Sequence, residues 1–331
     1  MKDRIVLISM GDPGGVGPEV AVKAYVQLQD QHIVFIGDTT VLRRALNILE
    51  LKQPLNEIKS VTDADFRAGV INVISLNEVL IGVESEPTAQ GGRASIAYIK
   101  KAVEMLLKND AHALVTAPIS KEAIKLAGVD FNGHTELLAH LTGTSDYAMM
   151  LCGGPLRVIL VTIHVPLKDV PSLITTQKVL KTIRMAARAA KMLNIATPRI
   201  AVAGLNPHAG EAGIFGDEEA RVILPAIKEG QAQNIAVSGP YPPDTIFVKA
   251  YKGEIDIVVC MYHDQGLIPL KMIAFDTGVN MTIGLPFVRT SPDHGTAYDI
   301  AWKGIADHRS MVEAIRMASE LDAICTLQSE A

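Results

Sequence analysis

Short apolar runs, spaced by segments of helical periodicity, constrain this chain more than any other feature. Ile5–Met10, Ile33–Ile36, Leu114–Ala117, Val158–Ile163, Ile200–Leu205 and Ile257–Met261 lack the strict apolar–polar alternation of a half-exposed strand. Runs of that kind mark strands covered on both faces, as in a parallel sheet flanked by helices. Between them, residues 39–50 look helical, and Ile96, Ile99, Val103, Leu106 and Leu107 mark one face of an amphipathic helix. Leu180, Ile183, Ala187 and Ala190 mark another, and Asp217–Ile227 suggests a helix disturbed by Pro225. Ser310 with Glu313 reads as a capping box for a last helix. Residues 52–92 alternate short strands with polar loops and carry no clearer assignment. The expected class is α/β with a largely parallel sheet. At 331 residues and 48% hydrophobic content, the chain can fill one large domain or two smaller ones sharing a cleft.

Charge and cysteine usage exclude several functions. A formal net charge of -5 argues against general nucleic-acid binding, which needs a basic face, but leaves room for a local anion pocket. The apolar run before Gly11 is too short for a signal segment or a membrane span. Cys152, Cys260 and Cys325 are odd in number and widely spaced, and the first two sit in apolar runs, so they read as core residues rather than disulfide partners. These features together lead us to expect a cytoplasmic protein with neither a membrane nor a nucleic-acid partner.

Three of the apolar runs deliver a histidine just past their carboxyl ends: His164, His208 and His263. In open α/β sheets those ends form the ligand crevice. One such histidine is more often a structural residue, but three at equivalent places favour convergence on a divalent metal. Asp264, next to His263, is suited either to orienting that histidine or to binding metal itself. Gly11–Glu19 is a glycine-dense turn between strand and helix, although its spacing fits neither a dinucleotide fingerprint nor a phosphate-binding P-loop. The segment 131–136, with His134 and Thr135, opens a helix where amides suit an anion; an Asn-Gly turn capped by Thr135 is the plainer alternative. Lys271, Asn280 and Arg289 can grip an anion, and His294-Gly295-Thr296-Ala297 is a small-residue loop that lets backbone approach a ligand.

Six ordered motifs, GDPGGVGPE (11–19), GHTELL (133–138), TIHVP (162–166), LNPHAGE (205–211), MYHDQG (261–266) and GLPFVRTSPDHGTA (284–297), together resemble the 4-hydroxythreonine-4-phosphate dehydrogenase family of vitamin B6 biosynthesis along essentially the whole chain. Gly14 departs from that pattern, where the family usually has alanine. The resemblance implies a fold like isocitrate and isopropylmalate dehydrogenases, with two α/β subdomains flanking an active-site cleft. The subdomains are expected at 1–125 plus 286–331, on the cofactor side, and at 126–285, with the metal ligands and the dimer contact. It implies His164, His208 and His263 as ligands of one divalent ion per subunit, shared between partners of a homodimer. Zinc is favoured over magnesium, cobalt and manganese. His134, Thr135, Lys271, Asn280 and Arg289 match substrate contacts, and His294, Gly295, Thr296 and Ala297 match NAD or NADP contacts more loosely. Asp264 and Lys121 are the candidates for the catalytic base.

The implied reaction is NAD(P)-linked oxidation of a secondary alcohol β to a carboxylate, followed by decarboxylation, with 4-hydroxythreonine 4-phosphate giving 3-amino-2-oxopropyl phosphate. D-threonate or D-erythronate 4-phosphate, giving dihydroxyacetone phosphate, is the nearest alternative. A metal-dependent hydrolase or aldolase without nicotinamide, and a non-catalytic phosphometabolite-binding protein, are the alternatives from other classes.

Overall fold

The computed structural model describes residues 4–79, 84–131 and 133–322. Cys325 and Asn132 lie outside them. The chain forms two compact units, residues 1–145 with 285–331, and residues 146–284.

The first unit is built on six parallel strands: β1 (Val6–Ser9), β2 (Ile33–Gly37), β3 (Leu55–Glu57), β4 (Ile71–Ser75), β5 (Ala113–Thr116) and β12 (Val288–Pro292). Their order is β3-β4-β2-β1-β5-β12. β1, β2 and β5 are buried at every position. This is why they read as unbroken apolar runs: helices cover both faces, so no position gains from being polar.

The helix expected from Ile96 begins earlier, at Ala89, with Thr88 accepting a bond from the Gly91 amide. Its first turn holds Gly91 and Gly92, and a Cβ at Gly92 would collide with the backbone carbonyl of Ala123. The glycines let this helix cross Lys121–Leu126 at backbone distance, which explains a helical turn where composition reads as loop.

Two helix starts differ from expectation. The last helix, Arg309–Glu320, has no side-chain cap. Ser310 instead accepts the Asp293 amide at 3.0 Å, tying down the loop after β12 rather than its own helix. The helix His134–Thr142 begins at the histidine, so Thr135 lies inside the first turn and caps nothing. That helix also packs on Ala89–Leu107, so residues 126–145 group with the first unit rather than the second.

The second unit is mixed. It holds β6 (Ala148–Gly153), β7 (Leu156–Leu160), β8 (Ile200–Ala203), β9 (Val237–Tyr241), β10 (Ile257–Cys260) and β11 (Val279–Ile283). The order is β11-β6-β7-β10-β8-β9, antiparallel at β11-β6 and β6-β7 and parallel from β7 onward. Leu156, Val158, Val258, Ala201 and Cys260 share one buried cluster with Leu267 and Leu270 of the helix His263–Ala274. Pro225 does not break a helix here. It sits in the first turn of Leu224–Ala232, where a missing amide proton is harmless, after a π-type turn at Glu219–Ile223. No described helix is long and apolar enough to cross a membrane.

Candidate active site

Within the second unit, β7, β10 and β8 are consecutive and parallel, so their carboxyl ends lie side by side. His164 follows β7, His263 follows β10 and His208 follows β8, which puts all three histidines at one edge of one sheet. The rings of His164 and His263 lie 5.6 Å apart between centroids. Nδ1 of His263 meets a carboxylate oxygen of Asp264 at 2.7 Å. A carboxylate only accepts, so Nδ1 donates in this contact, and in the neutral ring Nε2 keeps its lone pair for another partner. Asp264 is thus placed to orient His263, and an imidazole held in that way would suit a divalent metal.

His208 is presented differently. His208, Ala209, Gly210, Glu211 and Ala212 all have positive φ, forming one left-handed turn. For a residue with a Cβ this conformation costs roughly 1–2 kcal/mol, so something must impose it. Glu219 does. Its carboxylate is buried and accepts the Leu205 amide at 2.8 Å, the Asn206 amide at 2.7 Å and the Asn206 side-chain amide at 3.0 Å. Three donors on one carboxylate hold the exit of β8 and thus the start of the turn. The His208 ring lies 6.1 Å from that of Phe215, and among the described residues no group of three or more His, Cys, Asp or Glu side chains is gathered closely enough to hold a metal.

Lys271 and Asn280 belong to the same unit. Lys271 is in the last turn of His263–Ala274, with its ammonium 5.8 Å from the Phe275 ring centre. Asn280, on β11, donates to Met149 Sδ at 3.4 Å, and its carbonyl oxygen is buried with no protein partner among the described residues.

The first unit supplies a different environment. Arg289 on β12 is 1% exposed, and its guanidinium donates to Thr116 Oγ1 at 2.6 Å, at the end of the neighbouring β5. Burial pushes its pKa down to about 9, still charged at neutral pH. His134 shares this region: burial first, and the Arg289 charge second, hold it well below the usual histidine range, while a bond to the Ala117 backbone opposes them. It is neutral, and its Nε2 is sealed from solvent without a protein partner among the described residues. Lys121 begins the helix after β5, its chain passing near Gly133 at the start of the His134 helix.

The glycine turn and the small-residue loop also meet in this unit. The Val16 amide donates to the Thr296 carbonyl at 2.9 Å, and a Cβ at Gly15 would come 2.9 Å from that same oxygen. Asp12, buried beneath, accepts the Gly14 amide and the Tyr298 hydroxyl, both at 2.8 Å. Burial raises the pKa of Asp12 and of Tyr298 alike. His294 bonds back to the Gly295 carbonyl, Ala297 has φ of 41°, and a Cβ at Gly295 would meet open space.

Of the expected residues, the structure places His164 beside His263, Asp264 on His263, and His134 beside Arg289. Sequence reasoning passed over Thr116, Glu219, Asp12 and Tyr298. Only Asp12 carried a signal, its position inside the glycine turn.

A chain that gathers imidazoles at the ends of parallel strands, and buries a guanidinium beside a neutral histidine, has the layout of an α/β enzyme for a small anionic metabolite. It belongs to the family of the pyridoxal phosphate biosynthetic protein PdxA, whose model matches residues 29–318. A relative from Desulfosudis oleivorans, named 4-hydroxythreonine-4-phosphate dehydrogenase, is 48% identical over 320 residues, 95% of each chain. One from Salmonella typhimurium, named D-threonate 4-phosphate dehydrogenase, is 46% identical over 328 residues, covering 97% of this chain and 100% of the relative. The crystal structure of the 4-hydroxythreonine-4-phosphate dehydrogenase from Klebsiella pneumoniae is 43% identical, with a TM-score of 0.89 over 95% of this chain and 98% of that one.

Proposed function

We propose that this protein is a metal-dependent, NAD(P)-linked dehydrogenase that oxidises and decarboxylates a 4-phosphorylated 3-hydroxy acid, with 4-hydroxythreonine 4-phosphate as substrate. The observation that carries the reading is the delivery of three histidines to one edge by three adjacent parallel strands, with Asp264 setting the tautomer of His263. When bound, a nicotinamide supplies a hydride acceptor, and a divalent ion, zinc in first place, supplies positive charge where oxygen becomes anionic.

The chain's own residues do the rest. His164, His208 and His263 would hold the ion, and the set is completed at a homodimer interface. Supporting that assembly, Ile268, Met272 and Phe275 are 60%, 83% and 73% exposed at helical spacing along the helix that starts at His263. Arg289 and Lys271 are each assigned to a substrate charge, phosphate or carboxylate, the buried guanidinium being suited to a bidentate grip. Thr135 orients the phosphorylated end through its hydroxyl, and neutral His134, which accepts at Nε2, meets a hydroxyl or ammonium proton of the substrate. Asn280 adds a carbonyl acceptor without charge. Lys121 is the group we assign to move the proton, since Asp264 is engaged on His263. The loop His294, Gly295, Thr296 and Ala297, laid on the glycine turn, is assigned to the nicotinamide cofactor.

The test is nicotinamide reduction over a panel of 4-phosphorylated four-carbon acids, each with and without added metal. Metal-dependent reduction with 4-hydroxythreonine 4-phosphate is expected. Preference for D-threonate or D-erythronate 4-phosphate would move the substrate to the sugar-acid branch. No reduction with any acid would refute the dehydrogenase reading.

A further inference from the structure

We propose that Gln265 is a positioning residue for the metal site, its side-chain amide standing in for the backbone bond that would otherwise join the ends of β10 and β8. The inference rests on the reading that His208 and His263 hold metal. β10 and β8 pair with Ile257 opposite Ile200, Val258 opposite Ala201 and Val259 opposite Val202. Continued in register, Met261 comes opposite Gly204. There the chains are joined not directly but through Gln265: its Oε1 accepts the Met261 amide at 2.7 Å, and its Nε2 donates to the Gly204 carbonyl at 2.7 Å. Gln265 is 7% exposed, so neither bond has water as a ready substitute.

The bridge extends to the third strand. The Met261 carbonyl accepts the Thr162 hydroxyl at 2.7 Å and the Thr162 amide at 3.3 Å. Thr162, Met261 and Gly204 are the exits that lead to His164, His263 and His208, so one buried amide and one hydroxyl yoke all three. Inserting a side-chain amide parts β10 from β8 at their ends while holding the gap at one width. A wider exit leaves room for a ligand, and a fixed width sets the direction in which each loop presents its imidazole to the interface where the ligand set is completed.

The experiment uses the full-length chain stripped with chelator and titrated with cobalt(II) alone, following affinity and the visible ligand-field spectrum. Gln265→Met keeps length and loses both bonds. Gln265→Glu keeps the acceptor for Met261 but sets a carboxylate oxygen against the Gly204 carbonyl. Both are expected to bind cobalt about 10- to 100-fold more weakly, with an altered spectrum, while the metal-free melting temperature reports any general loss of stability separately. Cobalt affinity within about twofold of the parent, with only the melting temperature lowered, would overturn the proposal. If neither variant folds, Thr162→Val removes the hydroxyl half of the yoke, and unchanged affinity there overturns it equally. His208→Ala and His263→Ala are the controls: retained cobalt binding in both means the metal reading itself has failed, a pattern distinct from failure of the yoke.

Discussion

The two units present polar groups at their strand ends in opposite ways. In the second unit His164 and His208 are exposed and His263 half-buried, and what is buried is the apparatus that aims them: Glu219 under one loop, Gln265 between two. In the first unit the anion-binding candidates are themselves drawn in, Arg289 almost completely and His134 half-buried with its Nε2 sealed, while Lys121 stays exposed. Under the proposed function, the difference follows from the ligand each would meet. A divalent ion arrives hydrated and exchanges water for imidazole, so its ligands need access and aim. A phosphorylated acid gains most from a cation already stripped of water, since attraction grows as the local dielectric falls.

The strongest way to break this contrast is His208→Ala. It should abolish both metal binding and turnover while leaving the circular dichroism spectrum intact; full activity in chelator-treated buffer would remove the histidine edge from the mechanism. Next, Arg289→Ala should lower kcat/KM by about 30-fold or more, on the scale of 2–5 kcal/mol for truncating a buried charged partner. The loss should fall on KM for the acid far more than on KM for the cofactor, and equal effects would mean the residue serves something else. Asp264→Ala should weaken cobalt or zinc binding by about 10- to 100-fold without abolishing it, as measured by calorimetric titration.

The smallest effect is on stability. His134 has a depressed folded-state pKa, so below about pH 6.5 the unfolded chain takes up a proton that the folded one refuses. Stability contributed by neutral His134 is present above that pH and is lost as pH falls. His308 is shifted in the same direction. Carboxylates such as Asp256 and Asp307, which are shifted down, add their losses only at more acid pH. Melting temperature should therefore decline between about pH 6.5 and 5, less steeply in His134→Gln; identical slopes would mean the ring is not held neutral.

Much of the frame was legible because burial writes itself into composition. The strands near Val6, Ile33, Leu114, Val158, Ile200 and Ile257 are covered on both faces and show as apolar runs. β6 is just as apolar, but Met149 and Met150 give no strand signal, since methionine fits helix or strand equally well, and β11 sets Asn280 and Thr282 among its apolar residues. The Gly91–Gly92 turn was hidden for the opposite reason, its glycines serving a close helix crossing instead of a loop. The histidines announced themselves by their place after strands. Glu219 and Gln265 could not, because each acts on backbone amides and carbonyls, and sequence does not say which main-chain groups a side chain will reach.

The left-handed turn at 208–212 carries a thermodynamic consequence. Glycine at Ala209 or Ala212 would relieve the steric penalty, yet would also widen the range of shapes the loop visits. By keeping alanine there, the chain accepts standing strain in exchange for a backbone that is already restricted at His208 before any ligand arrives. Less backbone freedom would then remain to be surrendered on capture of a ligand, so part of the ordering cost would be met during folding.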